Sequence, residues 1–210
     1  LEQLKNLFCL SDNPLVKHKI TLLRDKKTTP KDFREILEEL TFIIAVEASK
    51  HLKVVEKTVE TPLSVYKGIK VKSSMIIPII RAGIGMINPL LKLFPGCKLG
   101  FMGLSRNEEN LNPDLYYSNI PKVNVNDTIF ILDPMLATGG SLAYTIKYLL
   151  DKGAKDIVVL SILSTPKGIE RVIEIYNNII IYTAEIDQEL NDKGFIVPGL
   201  GDAGDRIFNT

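Results

Sequence analysis

At 210 residues, with 45% apolar side chains and no tryptophan, the chain suits one domain (residues 1–210) with a substantial core. Lys and Arg number 26 against 25 Asp and Glu, a formal net charge of +1, so no global basic field argues for nucleic acid and no acidic excess for disorder. Cys9 and Cys97 lie far apart without metal spacing, as reduced thiols do, and no apolar run reaches membrane length. No basic leader with a cleavage site opens the chain, so the cytoplasm is the expected location; a start at Leu1 without methionine leaves room for a short missing leader or tag.

Thr29, Pro30 and Asp32 predict a helix start, with Thr29 as N-cap, Pro30 first in the helix and Asp32 at the positive dipole end. Phe33, Ile36, Leu37, Leu40, Ile44 and Ala48 follow at helical spacing and predict a buried face. Val54 to Pro62 alternates as an exposed strand does, ahead of a loop expected near Lys67-Gly68.

Four β-rich runs come next: Ser74–Ile80, Lys98–Leu104, Thr128–Leu132 and Ile157–Leu163, with Ile179–Ala184 a fifth. Continuous Ile/Val runs indicate strands buried on both faces. Helices are predicted at Gly85–Leu93, Ser141–Lys152 and Lys167–Tyr176. The alternation implies an α/β fold, a mostly parallel open sheet flanked by helices. The N-terminal helices and the irregular tail after Asp187 would add a flanking subdomain.

The most informative stretch is Asp133-Pro134-Met135-Leu136-Ala137-Thr138-Gly139-Gly140-Ser141, between the strand Thr128–Leu132 and a predicted helix. Such a turn aims several backbone N–H groups at one spot, with the Thr138 and Ser141 hydroxyls beside them and the helix dipole behind. That arrangement cradles a phosphate. Asp133, at the strand's carboxyl end, can accept bonds from a sugar diol, so the pair suggests a ribose 5-phosphate. Two other nucleotide motifs fail. Gly199-Leu-Gly201-Asp-Ala-Gly204 satisfies G-x-G-x-x-G, but the chain ends six residues later, and no P-loop pattern occurs.

The stretch from Asp133 to Ser141 matches the 5-phosphoribosyl-1-pyrophosphate (PRPP) signature of the phosphoribosyltransferases. Asn13–Lys19, Pro78-Ile-Ile-Arg81-Ala-Gly83, Arg106–Glu109, Ile186-Asp-Gln188 and Pro198–Phe208 follow in family order, so that nearly the whole chain resembles the uracil phosphoribosyltransferase family. The resemblance implies transfer of phosphoribose from PRPP to N1 of uracil, giving UMP and pyrophosphate in pyrimidine salvage, and a small hood over the sheet's carboxyl edge formed by the N-terminal and C-terminal segments.

It further implies the roles of individual residues. Arg81 and Arg106 would hold the leaving pyrophosphate, with Arg106 opening a hairpin of roughly Asn107 to Asn119 that closes over PRPP. Asp133 through Ser141 would bind the phosphoribosyl group. Ile196, Gly201, Asp202 and Ala203 would read uracil by main-chain contacts, and Asp202 would accept the N1 proton or touch metal-bound water. Asp187 and Gln188 would shape the pocket wall. Where relatives of other base specificity carry two adjacent acids, this chain has Asp133-Pro134, so Mg²⁺ would be held mainly through PRPP and water, with no first-shell protein ligand. Ser105, where the family usually has an aromatic residue, and Asn209, where bacterial members commonly have glycine, depart from the pattern. A homodimer or homotetramer and a possible GTP effector also follow from the resemblance, with no nucleic-acid or membrane partner.

Three other readings share the fold: an RNA-binding sensor of UMP, a silent ligand-binding relative, and an enzyme for a purine or orotate. The balanced charge, the joint presence of Arg81, Arg106, Asp133 and Asp202, and the glycine-rich tail argue against them in turn. His18 is expected to be exposed or at an interface, His51, near a helix end, to interact with carbonyls, and Cys97 to pack as a small apolar residue.

Overall fold

The structure, a computed structural model, describes residues 5–106 and 113–210, with the side chain of Arg106 outside that description. The chain opens with strand β1 (Leu7–Cys9) and helices α1 (Pro14–Arg24) and α2 (Pro30–Ala48). Asn13 caps α1, and Thr29 caps α2 by accepting the Asp32 N–H at 3.2 Å, with Pro30 in the first turn as predicted. Strands β2 (Val54–Glu60) and β3 (Val65–Val71) form a separate antiparallel hairpin.

The loop expected at Lys67-Gly68 is therefore the middle of β3, and the turn lies at Thr61–Ser64. Gly68 serves packing rather than turning. A Cβ there would sit 2.9 Å from the Tyr66 ring, so the glycine makes room for an aromatic on the same strand.

Next come β4 (Ser74–Ile80), a 3-10 helix (Ala82–Met86), α3 (Ile87–Leu93), β5 (Lys98–Leu99), β6 (Phe101–Arg106) and β7 (Pro113–Asn119). The strand predicted over Lys98–Leu104 is thus divided at Gly100, whose N–H still bonds Ile76 at 2.9 Å. The helix predicted from Gly85 begins its α-turns only at Ile87. Pro89 has no N–H to return to the Gly85 carbonyl, so no α-type bond can form there.

The remainder is β8 (Thr128–Leu132), β9 (Met135–Leu136), α4 (Gly140–Asp151), β10 (Asp156–Ser164), α5 (Pro166–Ile175), β11 (Ile180–Ile186), β12 (Glu189–Leu190), β13 (Ile196–Val197) and α6 (Ala203–Phe208). The tail expected to be irregular therefore contains the short β12–β13 pair and a terminal helix. None of the described helices is long and apolar enough to cross a membrane.

The main sheet runs β1-β11-β10-β8-β4-β6-β7, with β5 beside β4 and β9 beside β10; only the β6–β7 pairing is antiparallel. Alternating side chains build two cores. Ile76, Phe130, Leu132, Val158 and Leu160 face α1, α2, α3 and α6. Met75, Ile77, Ile129, Ile131, Ile157 and Val159 face α4 and α5.

The order also locates a ligand site. From β4 the chain steps to β6 on one side, then returns with β8 on the other. Beyond the carboxyl ends of β4 and β8 lies a topological switch point, where open α/β sheets bind ligands.

Candidate active site

Arg81 and Asp133 follow directly on the two strands that flank this switch point. Pro78 pairs with Leu132, the last residue of β8, so β4 runs on to Ile80 beyond the ladder, and both strands deliver Arg81 and Asp133 to the same sheet edge. The Ile80–Arg81 peptide bond is cis, as is Val197–Pro198 in the tail. Between these segments opens a cleft of about 820 Å³. Its lining includes Arg81, Asp133, Met135, Ala137 and Ser141 from the sheet side, and Ile196, Gly201, Asp202 and Ala203 from the tail. The two halves of the predicted site therefore meet over one space.

A smaller hollow of about 30 Å³ is walled by residues from Asp133 to Leu142, including Leu136, Thr138, Gly139 and Gly140. Its form follows from local chemistry. The Asp133 carboxylate accepts the Met135 N–H at 3.2 Å, which folds the loop over Pro134. Gly139 takes φ +75°, and α4 starts after it with no side-chain cap. First-turn N–H groups of a helix have no partner within the helix, and with the dipole they favour an anion.

Residues outside the motif hold this loop in place. Thr165 Oγ1 donates to the Ala137 carbonyl at 2.6 Å, and the Ser161 hydroxyl accepts the Leu136 N–H at 3.2 Å. A Cβ on Gly168 would fall 2.4 Å from the Ala137 carbonyl, so α5 approaches the loop as closely as only glycine permits. No motif in the sequence pointed to Thr165 or Gly168. A glycine in the first turn of a predicted helix was the one available signal.

The tail is anchored by buried charge. Arg24, at the end of α1, forms a bidentate pair with Asp187, both bonds at 2.7 Å, and also donates to the Gly199 carbonyl at 2.8 Å. The Gly199 N–H bonds Asp187 at 3.0 Å. Burial alone would lower the Arg24 pKa, but the bonds and charge of Asp187, with Glu185 beside them, outweigh it and hold the guanidinium above its ordinary value. Asp187, expected in the pocket wall, thus acts as the post to which the tail is tied. Gln188 is exposed next to it and does not line the cleft.

Further ties run from Arg206 to the carbonyls of Leu200 at 3.0 Å and Asp25 at 2.7 Å, with its guanidinium 4.4 Å from the Phe33 ring centroid. Arg34 donates to the Ile207 carbonyl at 2.8 Å. Arg24, Arg34 and Arg206 carried no local signal for these ties, because Asp187, Ile207 and Asp25, their partners across the fold, lie far off in sequence.

Asp202 lines the cleft and also caps α6, accepting the Asp205 N–H at 3.0 Å. The Asp192–Phe195 turn completes the rim, organised by Asn191 Oδ1, which accepts the N–H groups of Lys193 and Phe195 at 3.0 and 2.9 Å. These rim residues were not singled out from the sequence. The Arg106 side chain lies outside the described residues, as do Glu108 and Glu109 of the expected closing hairpin; the described part of that hairpin pairs β6 with β7. His18 is exposed, His51 bonds the Tyr182 hydroxyl at 3.0 Å in place of the expected carbonyl, and Cys97 is half-buried.

Among the described residues no group of three or more His, Cys, Asp or Glu side chains could hold an ion, and the cleft carries Asp133, Asp192 and Asp202 singly. This suits Mg²⁺ delivered on a phosphate ligand, which keeps its waters, and does not suit a protein cage.

Known proteins share this fold and much of this sequence. Solved structures include the AQ2163 protein from Aquifex aeolicus, 36% identical with a TM-score of 0.90, covering 96% of this chain and 97% of that one. An adenine phosphoribosyl transferase from Trypanosoma brucei, in complex with AMP, pyrophosphate and ribose-5-phosphate, shares the fold at 16% identity and a TM-score of 0.62, covering 96% of this chain and 90% of that one. A uracil phosphoribosyltransferase of Thermosipho melanesiensis is 47% identical over 201 residues, 95% of this chain and 97% of its own length. The family model described as uracil phosphoribosyltransferase matches residues 10–210. By fold, cleft and sequence together, the chain belongs to the uracil phosphoribosyltransferase family.

Proposed function

We propose that this chain, as one phosphoribosyltransferase domain over residues 1–210, transfers the phosphoribosyl group of PRPP to N1 of uracil. UMP and pyrophosphate are the products, and the step salvages a pyrimidine. The observation that carries this reading is the shared cleft, in which the Asp133–Ser141 loop faces the Gly201–Ala203 tail with Arg81 at the edge.

In the proposed reaction the C1–O bond to pyrophosphate breaks, the C1–N1 bond forms, and the N1 proton leaves. The N–H groups from Thr138 to Ser141 hold the 5-phosphate, and Asp133 accepts bonds from the ribose hydroxyls. Arg81, with Arg106 by resemblance, gathers the negative charge of the departing pyrophosphate; the planar guanidinium fork suits phosphate oxygens. Asp202 receives the N1 proton directly or through water, while Ile196, Gly201 and Ala203 present the base by apolar and main-chain contacts. Positioning and charge stabilisation supply most of the acceleration. Mg²⁺, held mainly through PRPP and water near Asp202, would neutralise charge on the diphosphate.

We assign the enzyme to the cytoplasm, in keeping with two free cysteines. It is proposed to work as a homodimer or homotetramer. In support, the β2–β3 hairpin exposes Val65, Tyr66 and Ile69 at 60% or more, and a lone hairpin is marginally stable in water. The direct test is UMP formation from uracil and PRPP with Mg²⁺, repeated with GTP for the effector expected from the resemblance. UMP release at a protein-dependent rate supports the proposal. PRPP binding without turnover would reduce the chain to a ligand-binding relative.

A further inference from the structure

Arg81 does not stand alone at the cleft edge. Its Nη2 donates to Asp205 Oδ1 at 3.0 Å, joining the end of β4 to α6 across 124 residues of sequence. Arg81 lines the cleft whereas Asp205 does not, so the carboxylate meets the guanidinium from the tail side. A guanidinium has five N–H donors, so this one bond leaves others for a ligand.

The carboxylate is itself steadied. Thr210 Oγ1 donates to the same Oδ1 at 3.2 Å, and the Asp205 N–H is held by Asp202 at 3.0 Å. Gly204 lets the guanidinium lie close along the helix: a Cβ there would stand 3.5 Å from Arg81 Nη2 and 3.2 Å from Asp202 Oδ1. α6 is in turn tied to the end of α1 through Arg206, which donates to the carbonyls of Leu23 and Asp25.

We propose that Asp205 is a positioning residue that holds the Arg81 guanidinium over the cleft, ready for the pyrophosphate of PRPP, and so links the base-binding tail to the leaving-group arginine. The inference rests on the assignment of Arg81 to the pyrophosphate. Arg81 and Asp205 are 54% and 48% exposed in their side chains, so the pair is weak enough for phosphate oxygens to reorient the guanidinium at little cost. Fixing a long arginine beforehand spares part of the ordering cost of binding.

The test is a double-mutant cycle on PRPP binding with Mg²⁺, using the full chain, Asp205→Ala, Arg81→Ala and the double variant. Asp205→Ala should weaken PRPP binding by about 3- to 10-fold, the range of a lost ordering contribution. In the Arg81→Ala background the same change should have no weakening effect. UMP, which carries no pyrophosphate, should bind Asp205→Ala within about twofold of the parent, and Asp205→Glu should recover part of the loss. Equal weakening in both backgrounds, equal loss of UMP binding, or tighter PRPP binding by Asp205→Ala would each overturn the proposal while leaving parent turnover intact. If Arg81→Ala alone left PRPP binding unchanged, the assignment of Arg81 would fall, and this inference with it.

Discussion

From Asp133 to Ser141 the site is shaped by its own motif and by partners 25 and 28 residues on, whereas from Asp187 to Phe208 it is held by partners 163 to 183 residues away. The loop owes its form to one carboxylate bond, one left-handed glycine and a helix start without a side-chain cap, and Ser161, Thr165 and Gly168 hold it from the next strand and helix. The tail is placed by arginines from α1, α2 and α6 that tie it to the N-terminal helices. On the proposed reading, the phosphate and ribose half is therefore built within one continuous stretch, Asp133 to Gly168, while the base half depends on the whole fold.

The largest expected effect probes the point where the tail meets chemistry. Asp202→Asn keeps an oxygen that can cap α6 but removes the proton acceptor. Turnover should fall by about 100-fold or more, the usual scale for a lost general base, while the KM for PRPP stays within about twofold. Equal losses in both, measured by steady-state kinetics, would make Asp202 a structural residue only.

Arg24→Ala attacks the anchor and should separate the halves. It leaves Asp187, 6% exposed, without its partner, which costs about 3 kcal/mol and lowers Tm by about 6–12 °C. In the protein that remains folded, the KM for uracil should rise more than the KM for PRPP. An unchanged melting curve would show that the tail does not hang on this pair.

The opposite end of the sheet supplies a control. Buried Asp127 pairs with Lys98 at 2.7 Å and accepts the Asn124 N–H at 2.9 Å. Burial alone would raise its carboxyl, but the Lys98 bond, with Ser73 and Asn124, outweighs it and holds the group below its ordinary value. Its charged form therefore stabilises the fold above the unfolded carboxylate pKa of about 4. That contribution fades as pH falls through the lower folded value. Asp127→Asn should lower Tm at neutral pH and flatten its acid dependence, with both KM values unchanged. A shifted KM would mean that the two ends of the sheet are coupled.

Much of the fold was legible because its strands are apolar on both faces. Ser74–Ile80 and Thr128–Leu132 read directly as continuous runs, and their ends locate Arg81 and Asp133. Thr29 and Pro30 announced α2 by cap chemistry. Gly68 misled because a glycine that admits the Tyr66 ring looks in sequence like one that turns the chain. Asp187 was recognised only by resemblance, and Arg24 not at all, since an ion pair between remote residues leaves no local pattern. Asp205 sat inside a matched motif, yet its contact with Arg81 needed the fold to appear.

Base selection is the claim on which the division between loop and tail most depends. The measurement is the rate of nucleotide formation from PRPP and Mg²⁺ with uracil, cytosine, orotate and hypoxanthine side by side. A tail that reads two carbonyl oxygens and an N3–H by main-chain groups should favour uracil over cytosine by about 10⁴-fold, because cytosine leaves buried polar groups unpaired. Comparable rates with cytosine or hypoxanthine would contradict the account, leaving the loop as a phosphoribosyl site and the tail without the role of selecting the base.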